Sequence, residues 1–241
     1  MSRCCRAPRP RLTASLAALA AAAAIVAAGP ASAANCKGGG GPNVDWQDCD
    51  KSMLMLSGSD LSGAKLTGAD FTSTDLEGVN LSGANLEKAT LTHASLAEAN
   101  AEKASFVHAE AYRARFTGVK ASGALFTSAE LARADFSNAD LTGVDFSKAE
   151  LGRANFAGAT ITGTKFDLSN LARVEFKDVV FEGPISFDRA FLYLTRIEGL
   201  DLSAATGLVQ WQIDLTCGDD KTKLPAGLTA PKSWPCKFAN D

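Results

Sequence analysis

Apolar residues recur in this chain with a period of five, and this period limits the folds that the chain can adopt. From residue 56 to residue 181 every fifth position is apolar. It is Leu, Phe or Ile at 23 of 26 positions, and Ala101, Ala111 and Ala121 are the other three. A small residue, most often Ala, lies two positions before nearly every one of these centres. Because a period of five leaves no apolar face on a helix of 3.6 residues per turn, the pattern argues against an α-helix.

The residues predicted to point inward recur at steps of two and then three. A step of two is typical of extended chain, because side chains alternate between the two faces. The additional residue in the step of three requires a bend. Each unit of five is therefore predicted to form one short straight side and one corner, and neighbouring turns must stack to bury the apolar centres.

Longer periods predict how many sides make one turn. Arginine recurs every twenty residues, and glutamate recurs at the same interval three residues earlier. The arginines are Arg113, Arg133, Arg153 and Arg173, and the glutamates are Glu110, Glu130 and Glu150. Phenylalanine occupies every second centre from Phe106 to Phe176. Four sides per turn accounts for both periods, because like residues then lie directly above one another and phenylalanines line two opposite walls.

Several units carry a recognisable signature. The segments Ala-Asp-Phe-Ser-Asn (134–138), Ala-Asp-Leu-Thr-Gly (139–143) and Ala-Asn-Leu-Glu-Lys (84–88) resemble the A(D/N)LXX repeat of the pentapeptide-repeat family. The resemblance covers about residues 53–205, with one extra residue near Gly183-Pro184 after which the pattern resumes. It implies an all-β fold, a right-handed quadrilateral β-helix, which agrees with the four-sided turn.

The first 33 residues have the composition of a secretory signal peptide. Four arginines without an acidic residue precede an alanine-rich apolar run, and Ala31-Ser32-Ala33 provides the small residues that a signal peptidase accepts. An uncleaved anchor helix is the alternative, but the run is short and weakly apolar. Cys36 lacks the preceding residues of a lipoprotein cleavage site. We therefore predict cleavage after residue 33 and export to the periplasm or out of the cell.

Removal of this leader makes the chain more acidic. The chain has 24 basic and 27 acidic residues, and loss of the four leader arginines leaves 20 against 27, a net charge of −7. This balance argues against non-specific nucleic-acid binding, which depends on positive charge.

Four cysteines remain after cleavage, two before the repeats and two after them. Pairing across the array would require its distant ends to approach within about 7 Å. The sequence therefore predicts the disulfides Cys36–Cys49 and Cys217–Cys236, each worth about 3 kcal/mol if unstrained. Neither a CxxC spacing nor a nearby histidine favours a metal site.

Both ends of the tube are predicted to be capped, because exposed strand edges invite aggregation. Residues 34–52 form a linker and N-terminal cap in this interpretation, in which Lys51 at a central position indicates an irregular first turn. Residues 206–241 form the C-terminal cap, with a short amphipathic helix over 208–215 and then the second disulfide loop.

The arginines at positions 113, 133, 153 and 173 are the strongest candidate for a partner-binding strip, with His93 one step before them. The strip would bind an acidic polymer or an acidic protein. In the alternative interpretation, the interleaved glutamates neutralise the arginines in a structural ladder whose exposed pairs are each worth about 0–1 kcal/mol. The presence of these counter-charges favours the ladder. The end near Arg173, where Asn170 replaces glutamate, is the better candidate for binding.

Phe191 and Tyr193 flank a central Leu192 at outward positions. We expect the C-terminal segment to cover them. The alternative is an exposed aromatic patch that contacts a partner or a second copy of the chain in a homodimer.

The sequence offers little for catalysis. The only histidines, His93 and His108, are fifteen residues apart and therefore on different walls. No glycine-rich loop precedes a helix, so a phosphate loop is not expected. A β-helical enzyme acting on carbohydrate would carry clustered carboxylates in a groove built by long insertions, which these units lack. We predict no catalytic, cofactor-binding or metal-binding residue, and hence no enzyme and no cofactor.

Two functions remain in competition. The first is a non-enzymatic exported structural or protein-interaction module. The second is implied by the family resemblance, because some pentapeptide-repeat proteins mimic DNA and bind type II topoisomerases. The acidic charge is compatible with mimicry, but the export leader and the arginines are not, since topoisomerases are cytoplasmic. We expect a protein partner or an acidic polymer, and no contact with nucleic acid.

Overall fold

The computed structural model describes residues 34–236, and the predicted signal peptide (1–33) lies outside the described residues. Residues 34–236 comprise a quadrilateral β-helix and the segments that cover its two ends. Its sides are so short that each contains a single bridged residue, and every bridge is parallel and joins residues of neighbouring turns. The interval between bridged residues is twenty as far as Thr160 and Val180. A turn therefore has four sides of five residues, as the sequence predicts.

The ladder of bridges extends beyond the repeat region predicted at 53–205. It begins at Asp45 and ends at Lys223. The extra residue near Gly183-Pro184 lengthens the interval to 21 between Lys165 and Ser186, and the four-sided path then continues. The only helix within residues 34–236, α1, comprises Gln210–Ile213. Among these residues, no helix is long and apolar enough to cross a membrane.

The interior of the tube contains the predicted inward residues. The eight phenylalanine centres from Phe106 to Phe176 are at most 1% exposed. They form two stacks on facing walls, with ring centroids 4.5–5.4 Å apart within a stack and 5.4–6.3 Å apart across the tube when Phe187 is included. Ala111 and Ala121 occupy the centres between the first phenylalanines, which compensates for the volume of the rings. The predicted facing walls of phenylalanine are therefore present.

The corners use the left-handed backbone region. From residue 48 to residue 178, the second residue after every centre has φ between 53° and 69°. Residues other than glycine adopt this conformation at a cost of about 1–2 kcal/mol. All of these corners except Gly163 and Asp178 are tied to the next turn, because their backbone N–H donates to a carbonyl there; Arg133 donates to Gly152 at 2.9 Å.

The Asp or Asn of the repeat signature closes the corner that follows it. Its side-chain oxygen accepts a hydrogen bond from the backbone N–H two residues later, as Asp145 does from Ser147 at 2.8 Å. Every Asp and Asn at this position, from Asp45 to Asp201, makes this bond. The signature residue is thus structural, because it satisfies a backbone donor in an Asx-type turn.

The N-terminal end of the tube is covered by a short segment that a disulfide fastens to the first turn. Residues 34–42 pack against the first turn, and Cys36 and Cys49 form a disulfide with a Cα–Cα distance of 5.3 Å. Lys51 is buried at its central position, where its Nζ donates to the carbonyl of Cys36 at 2.6 Å and lies 3.8 Å from the ring centroid of Trp46. Burial lowers the pKa of this lysine. The irregular residue of the first turn therefore fastens the cap.

The C-terminal end is closed by α1 and the second predicted disulfide, Cys217–Cys236, whose Cα–Cα distance is 5.4 Å. The buried amide of Gln212 donates to the carbonyls of Phe187 and Ala190 at 3.0 and 2.9 Å. The helix is shorter than the predicted 208–215, because the chain soon re-enters the ladder, where Cys217 bridges with Arg196.

Candidate interaction surface

One wall of the tube and the corner after it collect the residues that the sequence suggests for partner binding. Parallel bridges stack Glu110, Glu130, Glu150 and Asn170, and the next residue of the same wall is Phe191. Corner hydrogen bonds stack two further columns, because each arginine N–H donates to a carbonyl in the turn above. These bonds run from Arg113 to Ala132, Arg133 to Gly152, Arg153 to Ala172 and Arg173 to Tyr193.

The glutamate column is Glu110, Glu130 and Glu150. The tyrosine column is Tyr112, Ala132, Gly152, Ala172 and Tyr193, and the arginine column is Arg113, Arg133, Arg153 and Arg173. We call the three columns together the charged strip.

The two charged columns are exposed, and among the described residues they form no direct ion pairs with each other. Within residues 34–236, no glutamate oxygen of the strip lies within 4.0 Å of an arginine nitrogen of the strip. The ladder of ion pairs that the sequence favoured is therefore not present. Three residues of chain, which include the bend of the corner, separate each glutamate from the arginine of the same turn.

The other contacts of these charged groups are few. Glu150 Oε2 accepts a hydrogen bond from Asn170 Nδ2 at 2.8 Å. The guanidinium carbon of Arg113 lies 5.2 Å from the ring centroid of Tyr112, which is a cation–π distance. His93 meets the edge of the same ring at 5.9 Å, so the lower end of the strip is a small cluster of aromatic and basic groups.

The glutamate column departs from the structural rule of the repeat. Its members occupy the position where Asp or Asn accepts the corner N–H, yet in the described chain none of the three accepts this bond. Glu175, at the same position on the neighbouring wall, pairs with Arg196 at 3.5 Å. The carboxylates of the strip therefore do not hold the corner backbone by a hydrogen bond, as the shorter Asp and Asn side chains do.

The exposed tyrosine, phenylalanine and tryptophan side chains of residues 34–236 lie on this wall or at the corner after it. The chain has two tyrosines, and both are in the tyrosine column, Tyr112 being 39% exposed and Tyr193 44% exposed. Phe191 is 45% exposed and stacks on Tyr193 at 6.2 Å between ring centroids. Trp211 is 52% exposed on α1, which takes the place of this wall in the last turn.

The C-terminal segment leaves Phe191 and Tyr193 uncovered, although the sequence favoured burial of this pair. The reason is its path: after Gly207 the chain forms α1 in the last turn and re-enters the ladder at Cys217, so it does not run back over this pair. Neither Tyr112 nor Trp211 was predicted from the sequence to belong to this surface. Tyr112 was detectable, because 81 residues separate the two tyrosines, which is four turns of twenty plus the one inserted residue.

Among the described residues, the histidines and the possible metal ligands form no further candidate site. His93 and His108 lie at different corners of the tube, as predicted. Within residues 34–236, no group of three or more His, Cys, Asp or Glu side chains is arranged to hold a metal ion.

Two family models match the chain. Residues 55–83 match the model for pentapeptide repeats (8 copies), and residues 89–166 match the model for a pentapeptide repeat region. No curated protein sequence matches the chain.

Solved structures of pentapeptide-repeat proteins are also similar. A trypsin-treated variant of QnrB1, a plasmid-mediated fluoroquinolone resistance protein, is 24% identical, with 72% of this chain and 86% of that chain covered and a TM-score of 0.52. HetL, involved in heterocyst differentiation regulation in the cyanobacterium Nostoc sp. strain PCC 7120, is 18% identical, with 81% and 91% covered and a TM-score of 0.38. A pentapeptide-repeat protein of the Arabidopsis thaliana thylakoid lumen is 23% identical, with 57% and 79% covered and a TM-score of 0.35.

The repeat matches agree with the geometry of the tube, in which five residues make a side and twenty residues make a turn. The fold is the right-handed quadrilateral β-helix that the sequence predicts. The chain belongs to the pentapeptide-repeat family.

Proposed function

We propose that this protein is an exported, non-enzymatic interaction module and that the charged strip is its contact surface for a protein partner. One observation carries the proposal. At Glu110, Glu130 and Glu150 the chain places a longer acid where the fold uses Asp or Asn, and these carboxylates make no bond to the corner backbone within the described residues.

The substitution of glutamate for aspartate or asparagine has a structural cost. A hydrogen bond to a backbone N–H contributes about 0.5–1.5 kcal/mol, and three consecutive turns of this wall forgo it. The same turns present arginines that form no ion pair within residues 34–236, and exposed aromatic rings lie at both ends of the strip. Arginine, tyrosine and tryptophan are the residue types that most often anchor protein interfaces.

The two charge columns favour a protein over a simple acidic polymer. A polyanion would pair with the arginine column but would repel the glutamate column beside it. A partner with both signs of charge can satisfy both columns, repeated at the turn spacing of about 4.8 Å. The partner should therefore offer acidic and basic groups in parallel rows.

Capture from the exported compartment tests the strip. Immobilised wild-type protein is compared with Arg133→Glu/Arg153→Glu/Arg173→Glu. The matched control, Lys103→Glu/Lys148→Glu/Lys177→Glu, makes the same charge change at exposed residues of other corners. We expect the strip variant to retain roughly tenfold less of any specific partner and the control to retain the wild-type amount. Equal retention by all three proteins would refute the role of the strip.

Export is the second part of the proposal and has its own test. The leader composition supports it, and so do two cysteine pairs at disulfide distance, since disulfides persist in oxidising compartments. Cell fractionation with mass spectrometry should find an exported chain that begins at Ala34 with both disulfides intact. A cytoplasmic protein that retains residues 1–33 would overturn this part and would favour the topoisomerase-binding alternative.

A further inference from the structure

The charged strip is complementary to itself under one symmetry operation. Within each turn the order of residues is Glu130, Ala132 and Arg133, so the tyrosine column lies between the two charged columns. Rotation by 180° about an axis that runs along the tyrosine column, parallel to the tube, exchanges the two sides and preserves the height of every turn. The arginine column of one copy then faces the glutamate column of the other, which is the reciprocity of an isologous dimer.

The charges select this orientation over the antiparallel one. If the two-fold axis crossed the tube at a right angle, the glutamate column would face glutamates and the arginine column would face arginines. Like charges placed opposite each other across an interface cost several kcal/mol. Only the parallel pair of tubes brings opposite charges together at every turn.

Resting on the proposed function of the charged strip, we propose that its partner is a second copy of this chain, bound side by side in parallel about a two-fold axis along the tyrosine column. Three turns then supply reciprocal pairs of the kind Arg133 with the partner's Glu130. In a fourth turn, Arg173 meets an amide, the partner's Asn170. These charges are available because they form no ion pairs within residues 34–236.

The tyrosine column has the side chains that such an axis requires. Ala132, Gly152 and Ala172 are small, so the two backbones can approach closely along the middle of the strip. Tyr112 and Tyr193, at the two ends, would each meet the same ring of the partner. Their exposure of 39% and 44% leaves apolar area for this contact, and Phe191 extends it at the upper end.

The dimer should be weak and sensitive to salt. The strip spans four turn spacings between its tyrosines, about 19 Å, and its columns are at most about 10 Å apart. It is therefore smaller than a standard interface, which covers about 800 Å² on each partner. Exposed ion pairs contribute about 0–1 kcal/mol each and are screened by salt.

Sedimentation equilibrium of the exported protein gives the first test. At low salt and up to about 1 mM protein, a range suited to a small interface, we expect an average mass that rises toward twice that of the monomer. In about 1 M salt, where the Debye length is about 3 Å, the mass should return to that of the monomer. A monomer mass throughout the low-salt series would overturn the proposal.

Charge reversal separates this interface from any other dimer. An acidic variant, Arg133→Glu/Arg153→Glu, and a basic variant, Glu130→Arg/Glu150→Arg, should each remain monomeric alone. Mixed in equal amounts, they should form a heterodimer of at least wild-type affinity, because every row again meets its opposite. Self-association of either variant alone, or failure of the mixture to associate, would overturn the proposal.

A bulkier uncharged residue in the tyrosine column, next to the proposed two-fold axis, provides an independent test. A side chain added at Gly152 meets only the carbonyl oxygen of Ala172, at 3.8 Å, so Gly152→Gln leaves the fold room. We expect it to reduce self-association at least tenfold with an unchanged melting temperature. The matched control is Ala157→Gln, at the same turn position on the next corner, and it should dimerise as wild type does. Equal dimerisation of both variants would contradict the assigned axis.

The outcomes for this dimer and for the proposed function are distinguishable. If the wild-type protein is monomeric but the arginine variant loses a captured protein, the dimer is refuted and the interaction module stands. If neither self-association nor capture depends on the strip, both are refuted.

Discussion

At the scale of a single residue, the central contrast is between aspartate and glutamate one position before a centre. Asp145 accepts the N–H of Ser147 at 2.8 Å, whereas the glutamates of the strip accept no corner N–H among the described residues. One methylene group thus separates a side chain that closes a turn from one that reaches outward. This contrast predicts that stability and binding respond in opposite directions to the same substitution.

Glu130→Asp/Glu150→Asp should stabilise the fold and weaken binding. Each shorter acid can accept the free corner N–H, so we expect a gain of about 0.5–1.5 kcal/mol per site. The carboxylates also retreat from the surface, so partner capture or self-association should fall. Chemical denaturation and the binding assays above measure the two effects.

The reciprocal control is Asp145→Glu, on a different wall. It removes an existing corner bond, so it should lose about 0.5–1.5 kcal/mol of stability and leave binding unchanged. If Glu130→Asp/Glu150→Asp lowered stability by a similar amount, the glutamates would have a structural role that the hydrogen bonds do not show.

The left-handed corners show that residue type alone does not predict the backbone conformation. Arg133 has φ of 61° at a corner where other units have glycine, such as Gly143 with 67°. Arginine has no intrinsic preference for this region, so its conformation is predictable only from its place in the repeat. Position within the five-residue period therefore determines the backbone conformation of a residue more strongly than its type does.

At the scale of elements, the phenylalanine stacks hold the tube together. Phe136 is fully buried, with Phe116 and Phe156 stacked on it at 4.7 and 5.2 Å between centroids. Phe136→Ala should cost about 3–5 kcal/mol. Phe136→Asp adds a buried charge without a partner and should prevent the array from folding.

Asn138→Asp is the control for the core substitution, because Asn138 lies two residues away at an exposed corner. Its effect should stay within about 0.5 kcal/mol. Circular dichroism melts compare the three variants. Equal losses for Phe136→Ala and Asn138→Asp would contradict the tubular core.

The last turn provides a test that depends on pH. Lys223 Nζ donates to Asp201 at 2.7 Å, and this hydrogen bond, with those from Ser203, lowers the pKa of Asp201 from 3.8 to about 2. A lowered pKa means that the folded state favours the ionised acid. Its contribution to stability is therefore present above about pH 4 and is lost as the pH falls toward 2.

Thermal melts of wild type and Asp201→Asn between pH 7 and pH 2 measure this effect. The wild type should melt at the higher temperature above pH 4, and the two midpoints should converge near pH 2. The control Asp220→Asn changes an exposed carboxylate of the C-terminal cap that accepts no hydrogen bond within residues 34–236, and it should follow the wild type throughout. A gap between wild type and Asp201→Asn that is independent of pH would show that the pair with Lys223 does not contribute through ionisation.

Most of the architecture at this scale is readable in the sequence. The five-residue period predicts sides and corners, the twenty-residue period predicts the turn, and Cys36–Cys49 and Cys217–Cys236 follow from their positions at the two ends. The short extent of α1 is not readable, because the chain must re-enter the ladder at Cys217 and only the register of the tube shows where. The hydrogen bond from Lys51 to the carbonyl of Cys36 cannot be predicted for a similar reason, because the two residues meet only when the N-terminal cap folds back over the first turn.

At the scale of the whole molecule, stacking converts sequence periods into surface columns. Glutamates, arginines and tyrosines that are twenty residues apart become rows along the tube, and the inserted residue near Gly183 still leaves Tyr193 above Ala172. The sequence could predict that charges of opposite sign share a wall. It could not predict that they form no ion pairs in the described part of the chain, because this depends on how the side chains leave the corner between Glu130 and Arg133.

Fluorine NMR of protein labelled with 3-fluorotyrosine reports on the charged strip alone, because both tyrosines of the chain lie in it and no other surface contributes a signal. Spectra are recorded for the free protein and after addition of the partner fraction that the wild-type protein retains, with dilution used to follow self-association. If the strip is the contact surface, the signals of Tyr112 and Tyr193 both shift or broaden on association. They should remain unchanged in Arg133→Glu/Arg153→Glu/Arg173→Glu. Association that leaves both signals of the wild-type protein unchanged would place the contact elsewhere and contradict the account.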